Sequence, residues 1–304
     1  MKRILVAGAG AIGSYLAERL YNAGYDIAVL ARGRRLASIR REGIVLETAE
    51  GVSSAMVRAE LSCAGLERAD LVLLCTKAPD LGEILELAAP CIGPGTVLVT
   101  LQNGVEAPDE VAARFPDVPV LAARAHGFFE MVGERVRHVG VEPSLAFGPM
   151  SPAGCPSVQA FAGVLSKAGI AHSLSANIMG DLWEKLMLAS TFGGLGAATG
   201  LAAGPMRADP AAWAMLAALM QEVESLALKR GVQLTPGCVA RTTSFVQGFP
   251  SDATASLKRD LESGRKSEYA NLTGAVIRMA AEAGLDVPAH HQVERMIRAR
   301  GLLP

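Results

Sequence analysis

The chain has 304 residues, half of them apolar and 19% charged. That length suits two domains of ordinary size, and that composition excludes a disordered chain. Lys+Arg number 29 against 30 Asp+Glu, a net charge of −1, which leaves no basic surplus to hold nucleic acid or an anionic membrane.

The first half alternates between short apolar runs and helix-like segments. Residues 3–7 are predicted as a strand, 11–23 as a helix and 26–31 as a second strand, with a basic helix over 34–41. The continuous apolar run at 71–76 reads as a strand buried on both faces. A helix follows at 81–89 and another buried strand at 96–101. Residues 118–124 begin a β-rich stretch that continues to about 147, before a helix at 155–168 and a last strand at 170–174. Such alternation implies a parallel sheet with right-handed crossovers. Past about Ser175 the apolar period becomes 3.6 and strands cease. Helices are predicted at 178–191, 211–230, 237–247 and 268–283, with Gly231 and Gly284 as terminators and Pro236 and Pro288 shortly before further helices. The fold class expected is α/β: a Rossmann-type parallel-sheet domain over residues 1–174 and an all-α domain over 175–304.

Five cysteines, Cys63, Cys75, Cys91, Cys155 and Cys238, show no C-x-x-C spacing and no nearby His cluster. They argue against a disulfide framework or a zinc site and for a reducing compartment. The N-terminal apolar run is too short for a signal peptide. Residues 186–206 carry no charge, yet they include five glycines. This stretch reads as a buried helix end and a close-packed turn rather than a membrane span. A cytoplasmic protein is expected.

Gly8-Ala9-Gly10-Ala11-Ile12-Gly13 is a G-x-G-x-x-G placed directly after a strand and opening a helix. In that context it predicts a dinucleotide loop. Gly8 permits the turn, Gly10 lets a pyrophosphate approach the backbone, and Gly13 lets helix pack on strand. The helix N-terminus then offers free N–H groups to the phosphates. The second strand ends in Ala31-Arg32-Gly33-Arg34-Arg35, without the carboxylate that commonly binds the ribose of NAD. NADP(H) is therefore favoured, with Arg32 as the residue emerging at the strand end and Arg34 and Arg35 divided between the ligand and a solvated helix face. Lys77, after Leu74-Cys75-Thr76, is a second cation at a strand C-terminus.

Chemistry candidates are fewer. Asn103, in Gln102-Asn103-Gly104, is either an amide facing the nicotinamide or substrate, or part of an Asn-Gly turn. Lys185, the last charge before the uncharged stretch, is either a snorkelling lysine or a desolvated proton donor. Glu268 opens a predicted helix and Ser256 lies twelve residues earlier; each is also a candidate helix cap.

Together these residues resemble the ketopantoate reductase family (2-dehydropantoate 2-reductases) over nearly the whole chain. The resemblance rests on the Gly8–Gly13 loop, Lys77, Gln102-Asn103-Gly104, Leu182-Trp183-x-Lys185-Leu186, Ser256-x3-Asp260, Gly264-Arg265-x-Ser267-Glu268, Asn271-x-x-Gly274 and Gly284-x3-Pro288. It implies a Rossmann domain joined to a helical domain like that of 6-phosphogluconate dehydrogenase, with the active site where the two meet. It also implies hydride transfer from NADPH to a 2-oxo acid, a step of pantothenate biosynthesis. Lys185 would be the general acid and Glu268 would hold substrate and lysine. Ser256 would bind substrate and Asn103 would position it. The loop residues Gly8, Ala9, Gly10, Ala11, Ile12 and Gly13, with Arg32, Lys77 and Asn103, would bind coenzyme. Relatives often form homodimers, and the apolar helical half is compatible with one.

Three family asparagines are replaced, by Ala189, Gly193 and Ala253. The expectation is a pocket with fewer polar contacts, more room and an apolar wall that includes Phe192, suited to a bulkier or more apolar 2-oxo acid. An imine substrate and a nucleotide sensor without catalysis are the rival readings, the latter disfavoured by the presence of Lys185 and Glu268.

Overall fold

The computed structural model describes residues 1–151 and 154–303. The chain divides into two compact units, residues 1–102 with 106–178 and residues 103–105 with 179–304. The second unit thus takes in the short segment 103–105 from within the sheet-forming half.

The first unit is built from β1 (Arg3–Ala7), α1 (Ala11–Asn22), β2 (Asp26–Leu30), α2 (Gly33–Glu42), β3 (Ile44–Thr48), β4 (Gly51–Ala55), β5 (Arg58–Glu60) and β6 (Leu71–Leu74). It continues with α3 (Leu81–Ala88), β7 (Val97–Thr100), α4 (Ala107–Arg114), β8 (Val120–Val132), β9 (Arg135–Pro149), α5 (Cys155–Lys167) and β10 (Ala171–Leu174). One sheet runs β4-β3-β9-β8-β7-β6-β1-β2-β5, with β10 also on β9. Strands β5, β2, β1, β6, β7 and β8 pair in parallel. The β-rich stretch expected after residue 118 is an antiparallel hairpin of β8 and β9, and β3 with β4 forms a second antiparallel pair.

The apolar runs are continuous because both faces of the sheet are covered. In β1, Ile4 and Val6 enter one core beneath α1, while Leu5 and Ala7 enter the other beside α3. Leu71 and Leu73 of β6 follow the first set and Val72 and Leu74 the second, the alternation a pleated strand imposes. Strands β3, β4 and β5 and helix α4 have no counterpart in the sequence-based reading. The three strands are short and only partly buried, so they lack a long apolar run.

The second unit consists of α6 (Ile178–Thr199), α7 (Ala203–Ala208), α8 (Pro210–Lys229), α9 (Cys238–Gln247), α10 (Ser256–Glu262), α11 (Thr273–Glu282) and α12 (Pro288–Ala299). Helix α6 was expected to stop at residue 191, but it runs eight residues further, through Gly193, Gly194 and Gly196. Those glycines serve packing: a Cβ on Gly194 would lie 2.6 Å from Thr273 Oγ1 and one on Gly193 3.2 Å from Leu257 Cβ. Helix α8 alone among the described residues is long and apolar enough to cross a membrane by length and composition. It packs against α9, α11 and α12 through a buried stripe that includes Leu216, Leu219, Val223 and Leu226, the pattern of a core helix.

A buried pair holds α12 to α8. Glu222 accepts hydrogen bonds from Ala289 N at 2.7 Å, His290 N at 3.0 Å and His290 Nδ1 at 2.6 Å, so one carboxylate caps the helix N-terminus. Burial raises the Glu222 carboxyl, but these bonds outweigh it and hold it below its ordinary range. Burial pushes fully enclosed His290 below its ordinary range despite Glu222, and its Nε2 has no hydrogen-bond partner among the described residues. Both groups therefore contribute stability that is present at neutral pH and lost on acidification, His290 below its ordinary 6.5 and Glu222 below its ordinary 4.5. The melting temperature is expected to fall as pH drops below 6.5, and His290→Asn, whose amide nitrogen stands in the place of Nδ1 and can still donate to Glu222, should flatten the upper part of that fall. An identical pH profile in wild type and variant would exclude His290 as its source.

Candidate active site

In the first unit the glycine loop joins β1 to α1. Gly8 has φ +114°, and a Cβ there would lie 2.8 Å from Thr76 N, so the turn needs glycine on both counts. A Cβ on Gly13 would sit 2.0 Å from Gly8 O and 2.9 Å from Cys75 Cβ. Gly10 differs. Its backbone, φ −69° and ψ −171°, suits any residue, and a Cβ would meet nothing within 4 Å. Protein packing demands glycine at 8 and 13 but not at 10, where the demand fits a ligand lying on the backbone ahead of the α1 N–H groups. Ala9 is buried, and Ala11 and Ile12 are half-buried at the first turn of α1.

The basic residues after β2 divide by partner. Arg32 is exposed and its Nη1 reaches both oxygens of Glu83, at 3.0 and 2.8 Å, with Nη2 3.5 Å from Asp80 Oδ1. The Glu83 hydrogen bond and charge, with Asp80, hold its pKa above the ordinary value. Arg34 is exposed. Arg35 is half-buried: Nε donates to Ala9 O at 3.1 Å, Nη2 to Ser14 Oγ at 2.7 Å, and Nη1 to Glu134 O. Burial lowers its pKa, with the Glu134 charge opposing. Lys77 is exposed ahead of the single 3-10 turn Ala78–Asp80. Gln102, buried at the end of β7, donates from Nε2 to Leu74 O at 2.9 Å and Thr76 O at 3.2 Å, fixing the loop after β6. The sequence-based reading left Gln102 without a role; an amide at a strand C-terminus beside a glycine loop was the available signal.

In the second unit the structure brings Asn103 and Glu268 together: Asn103 Nδ2 donates to Glu268 Oε2 at 2.9 Å. Glu268 is 6% exposed. It does not begin a helix as expected. A 3-10 turn, Tyr269–Asn271, follows it, and α11 starts at Thr273 because Leu272 breaks the helical path at φ −117°, ψ −101°. Gly104 matters to this arrangement, since with φ +97° its Cβ position lies 2.8 Å from Asn271 O. Lys185 is half-buried on α6, between the fully packed pairs Leu182–Trp183 and Leu186–Met187. Its neighbour Glu184 is occupied, accepting from Thr235 N at 3.0 Å and from Arg241. Ser256 is exposed in the first turn of α10, whose N-cap is Ala255, so Ser256 is not that helix's cap.

Helix α6 is the common support. Thr273 Oγ1, five residues beyond Glu268, donates to Ser190 O at 2.8 Å, and Gly193 meets Ala255 and Leu257 on either side of Ser256. The room expected at Gly193 is therefore absent: Leu257 and Ala255 side chains lie 3.2–3.4 Å from where its Cβ would be. The glycine admits α10 rather than opening a pocket. Phe192 is likewise committed to protein, edge-on to Phe249 at 5.3 Å. Ala189 and Ala253 are half-buried and bring no side-chain hydrogen-bonding group.

A dinucleotide-type loop on a mostly parallel sheet, followed by an all-α unit carrying a lysine and a buried carboxylate, defines a two-unit oxidoreductase. Residues 4–152 match the family described as Ketopantoate reductase PanE/ApbA, and residues 177–301 match Ketopantoate reductase PanE/ApbA C terminal. The chain belongs to the ketopantoate reductase family. It is 29% identical over 318 residues to a 2-dehydropantoate 2-reductase of Mesorhizobium japonicum, with 97% of each chain covered. A crystal structure of a PanE/ApbA family ketopantoate reductase from Ralstonia eutropha matches with a TM-score of 0.88 at 28% identity, over 98% of this chain and 97% of that one. The fold is also that of D-mandelate dehydrogenase in its ternary structure with NADH and anilino(oxo)acetate, with a TM-score of 0.88 at 21% identity and 99% of each chain covered.

The glycines give a direct test. Gly10→Val should leave the melting temperature of the ligand-free protein within about 2 °C of wild type and abolish stabilisation by a nicotinamide dinucleotide. Gly13→Val should cost about 3 kcal/mol or more, since the clash is with backbone, and should appear as a large loss of melting temperature. A Gly10→Val protein that still gains stability from dinucleotide would remove the loop from the site.

Proposed function

We propose that the protein reduces a 2-oxo acid to the 2-hydroxy acid with NADPH, in the manner of a 2-dehydropantoate 2-reductase. The observation that carries this reading is the buried Glu268 carboxylate, gripped by Asn103 on the same helical scaffold as Lys185. A protein that only bound nucleotide would have no use for such a group.

In this reading the first unit is the coenzyme domain. Gly8, Ala9, Gly10, Ala11, Ile12 and Gly13 hold the pyrophosphate, while Arg32 and Lys77 attract the 2′-phosphate. The coenzyme, when bound, supplies a hydride to C2 of the substrate. Lys185 Nζ polarises the carbonyl and gives a proton to the alkoxide as it forms. Glu268 keeps that ammonium oriented and accepts a hydrogen bond from the new hydroxyl. Asn103 orients that carboxylate by donating its amide to Oε2. Ser256 contacts the substrate carboxylate. Ala189 and Ala253 provide no amide for a polar substrate tail, which favours a 2-oxo acid with an apolar one. The scattered cysteines, free wherever they are found, fit the cytoplasm, and a homodimer is the assembly we expect.

Lys185→Ala should lower kcat by about 10²–10⁴-fold and leave NADPH affinity unchanged, as measured by steady-state kinetics and calorimetry. The parent enzyme should oxidise NADPH with a panel of 2-oxo acids, fastest with those bearing apolar side chains. No oxidation with any of them would favour a nucleotide sensor, and turnover only with imines would move the substrate class.

Coenzyme choice has its own test. Glu83 competes with the 2′-phosphate for Arg32, and an exposed ion pair contributes about 0.2–1 kcal/mol. Glu83→Gln should therefore lower KM for NADPH about two- to fivefold while KM for NADH stays put. Equal effects on both coenzymes would detach Arg32 from the 2′-phosphate.

A further inference from the structure

We infer that Arg35 is a coenzyme-positioning residue: its guanidinium fixes the shape of the glycine loop and supplies the standing counter-charge for the pyrophosphate that the loop receives. This rests on the coenzyme reading above and assigns a role to a residue that sequence alone leaves between ligand and solvated helix face.

Three observations lead there. First, Arg35 grips the loop itself. Its Nε and Nη2 hold Ala9 O and Ser14 Oγ, and Ser14 Oγ in turn lies 3.1 Å from the same Ala9 carbonyl, as its donor. Ala9 stands between the structural Gly8 and the open Gly10, so fixing its peptide plane fixes where the Gly10 backbone faces. The third donor, Nη1, ties the loop to the β8–β9 turn at Glu134 O.

Second, every one of these acceptors is neutral. Among the described residues no carboxylate pairs with Arg35, whereas its neighbours Arg32, Arg40 and Arg41 each reach one, at Glu83, Glu60 and Glu42. The Glu134 charge offsets only part of the burial cost; a half-buried cation with no carboxylate in ion-pair contact is costly to keep desolvated, and an apolar side chain of similar volume would fill the space without that cost. The charge gains its partner when an anion arrives.

Third, the donor count leaves capacity. A guanidinium has five N–H groups, and Arg35 spends three on the protein. Two remain for phosphate oxygens beside the first-turn N–H groups of α1, the helix end that already favours negative charge. The pyrophosphate is common to NADH and NADPH, so Arg35 serves both alike, in contrast to Arg32.

The test uses ADP-ribose, which carries the pyrophosphate without the reactive ring or the 2′-phosphate. Its affinity for the full chain is measured by calorimetry for wild type, Arg35→Met and Arg35→Lys, with the melting temperature of each ligand-free protein recorded beside it. Arg35→Met should bind roughly tenfold more weakly, and Arg35→Lys, which keeps the charge and loses the fork, should fall in between. NADH and NADPH should lose affinity by the same factor. The ligand-free melting temperature of Arg35→Met should stay within about 2 °C of wild type, because a purely structural clamp would lose stability and keep affinity. Equal binding by wild type and Arg35→Met, equal weakening in Lys and Met variants, or a loss confined to NADPH would overturn the assignment. A wild type that binds no ADP-ribose would overturn the coenzyme reading together with it.

Discussion

The approach of α1 to β1 at Gly13 is the contact on which the first unit depends. With no Cβ at 13, the helix comes close enough that its first turn lies against Gly8 O and Cys75. That single proximity places the free N–H groups of α1 at the C-terminal edge of the central strands. Parallel pairing of β2, β1, β6 and β7 then brings the chain segments carrying Arg32, the Gly8–Gly13 loop, Lys77 and Gln102 to the same edge. None of these groups needs to be attracted to its place; strand register delivers it. Gln102 completes the edge by tying down the carbonyls of Leu74 and Thr76 where β6 ends.

The helical unit solves a different problem with the same device. A polar group in a dry setting has to be held by hydrogen-bonding partners. Glu268 is held by Asn103 from a segment that departs the end of β7 and joins the helices. Gly104 makes this possible, since only a residue without a side chain passes Asn271 O at that φ. On α6, Gly193 and Gly194 let α10 and Thr273 approach closely, which sets Ser256 and the Glu268 segment against the helix that carries Lys185.

Much of this was legible in the sequence, and the reason is periodicity. The strands of the sheet centre are apolar on both faces, so Arg3–Ala7, Leu71–Leu74 and Val97–Thr100 stand out as unbroken runs. Strands β3, β4 and β5 are partly exposed and no longer than five residues, too short for an alternation to register against background. The end of α6 was misplaced because glycine is read as a helix terminator, whereas Gly193, Gly194 and Gly196 continue the helix where neighbouring chains press on it. Glu268 was misread for the converse reason: its surroundings look helical, but Leu272 adopts a backbone that no helix allows, and the true start comes at Thr273. Loss of asparagine at position 193 suggested space, and space was the wrong inference because Leu257 and Ala255 occupy it.

The basic residues after β2 show most plainly what position alone conceals. Arg32, Arg34 and Arg35 lie within four residues and carry the same charge, so spacing ranks them only by distance from the strand end. Their partners separate them. Arg32 at the expected position is neutralised by Glu83 and Asp80, so an anionic ligand there must displace an existing ion pair. Arg35, one turn on, faces inward and holds only neutral oxygens. That inward-facing guanidinium is one that sequence position alone leaves between a ligand and a solvated helix face. Exposed arginines meet carboxylates readily because solvent lets both side chains search for each other. A guanidinium locked against a loop carbonyl and a serine hydroxyl cannot search, and it keeps the neutral oxygens that packing gives it.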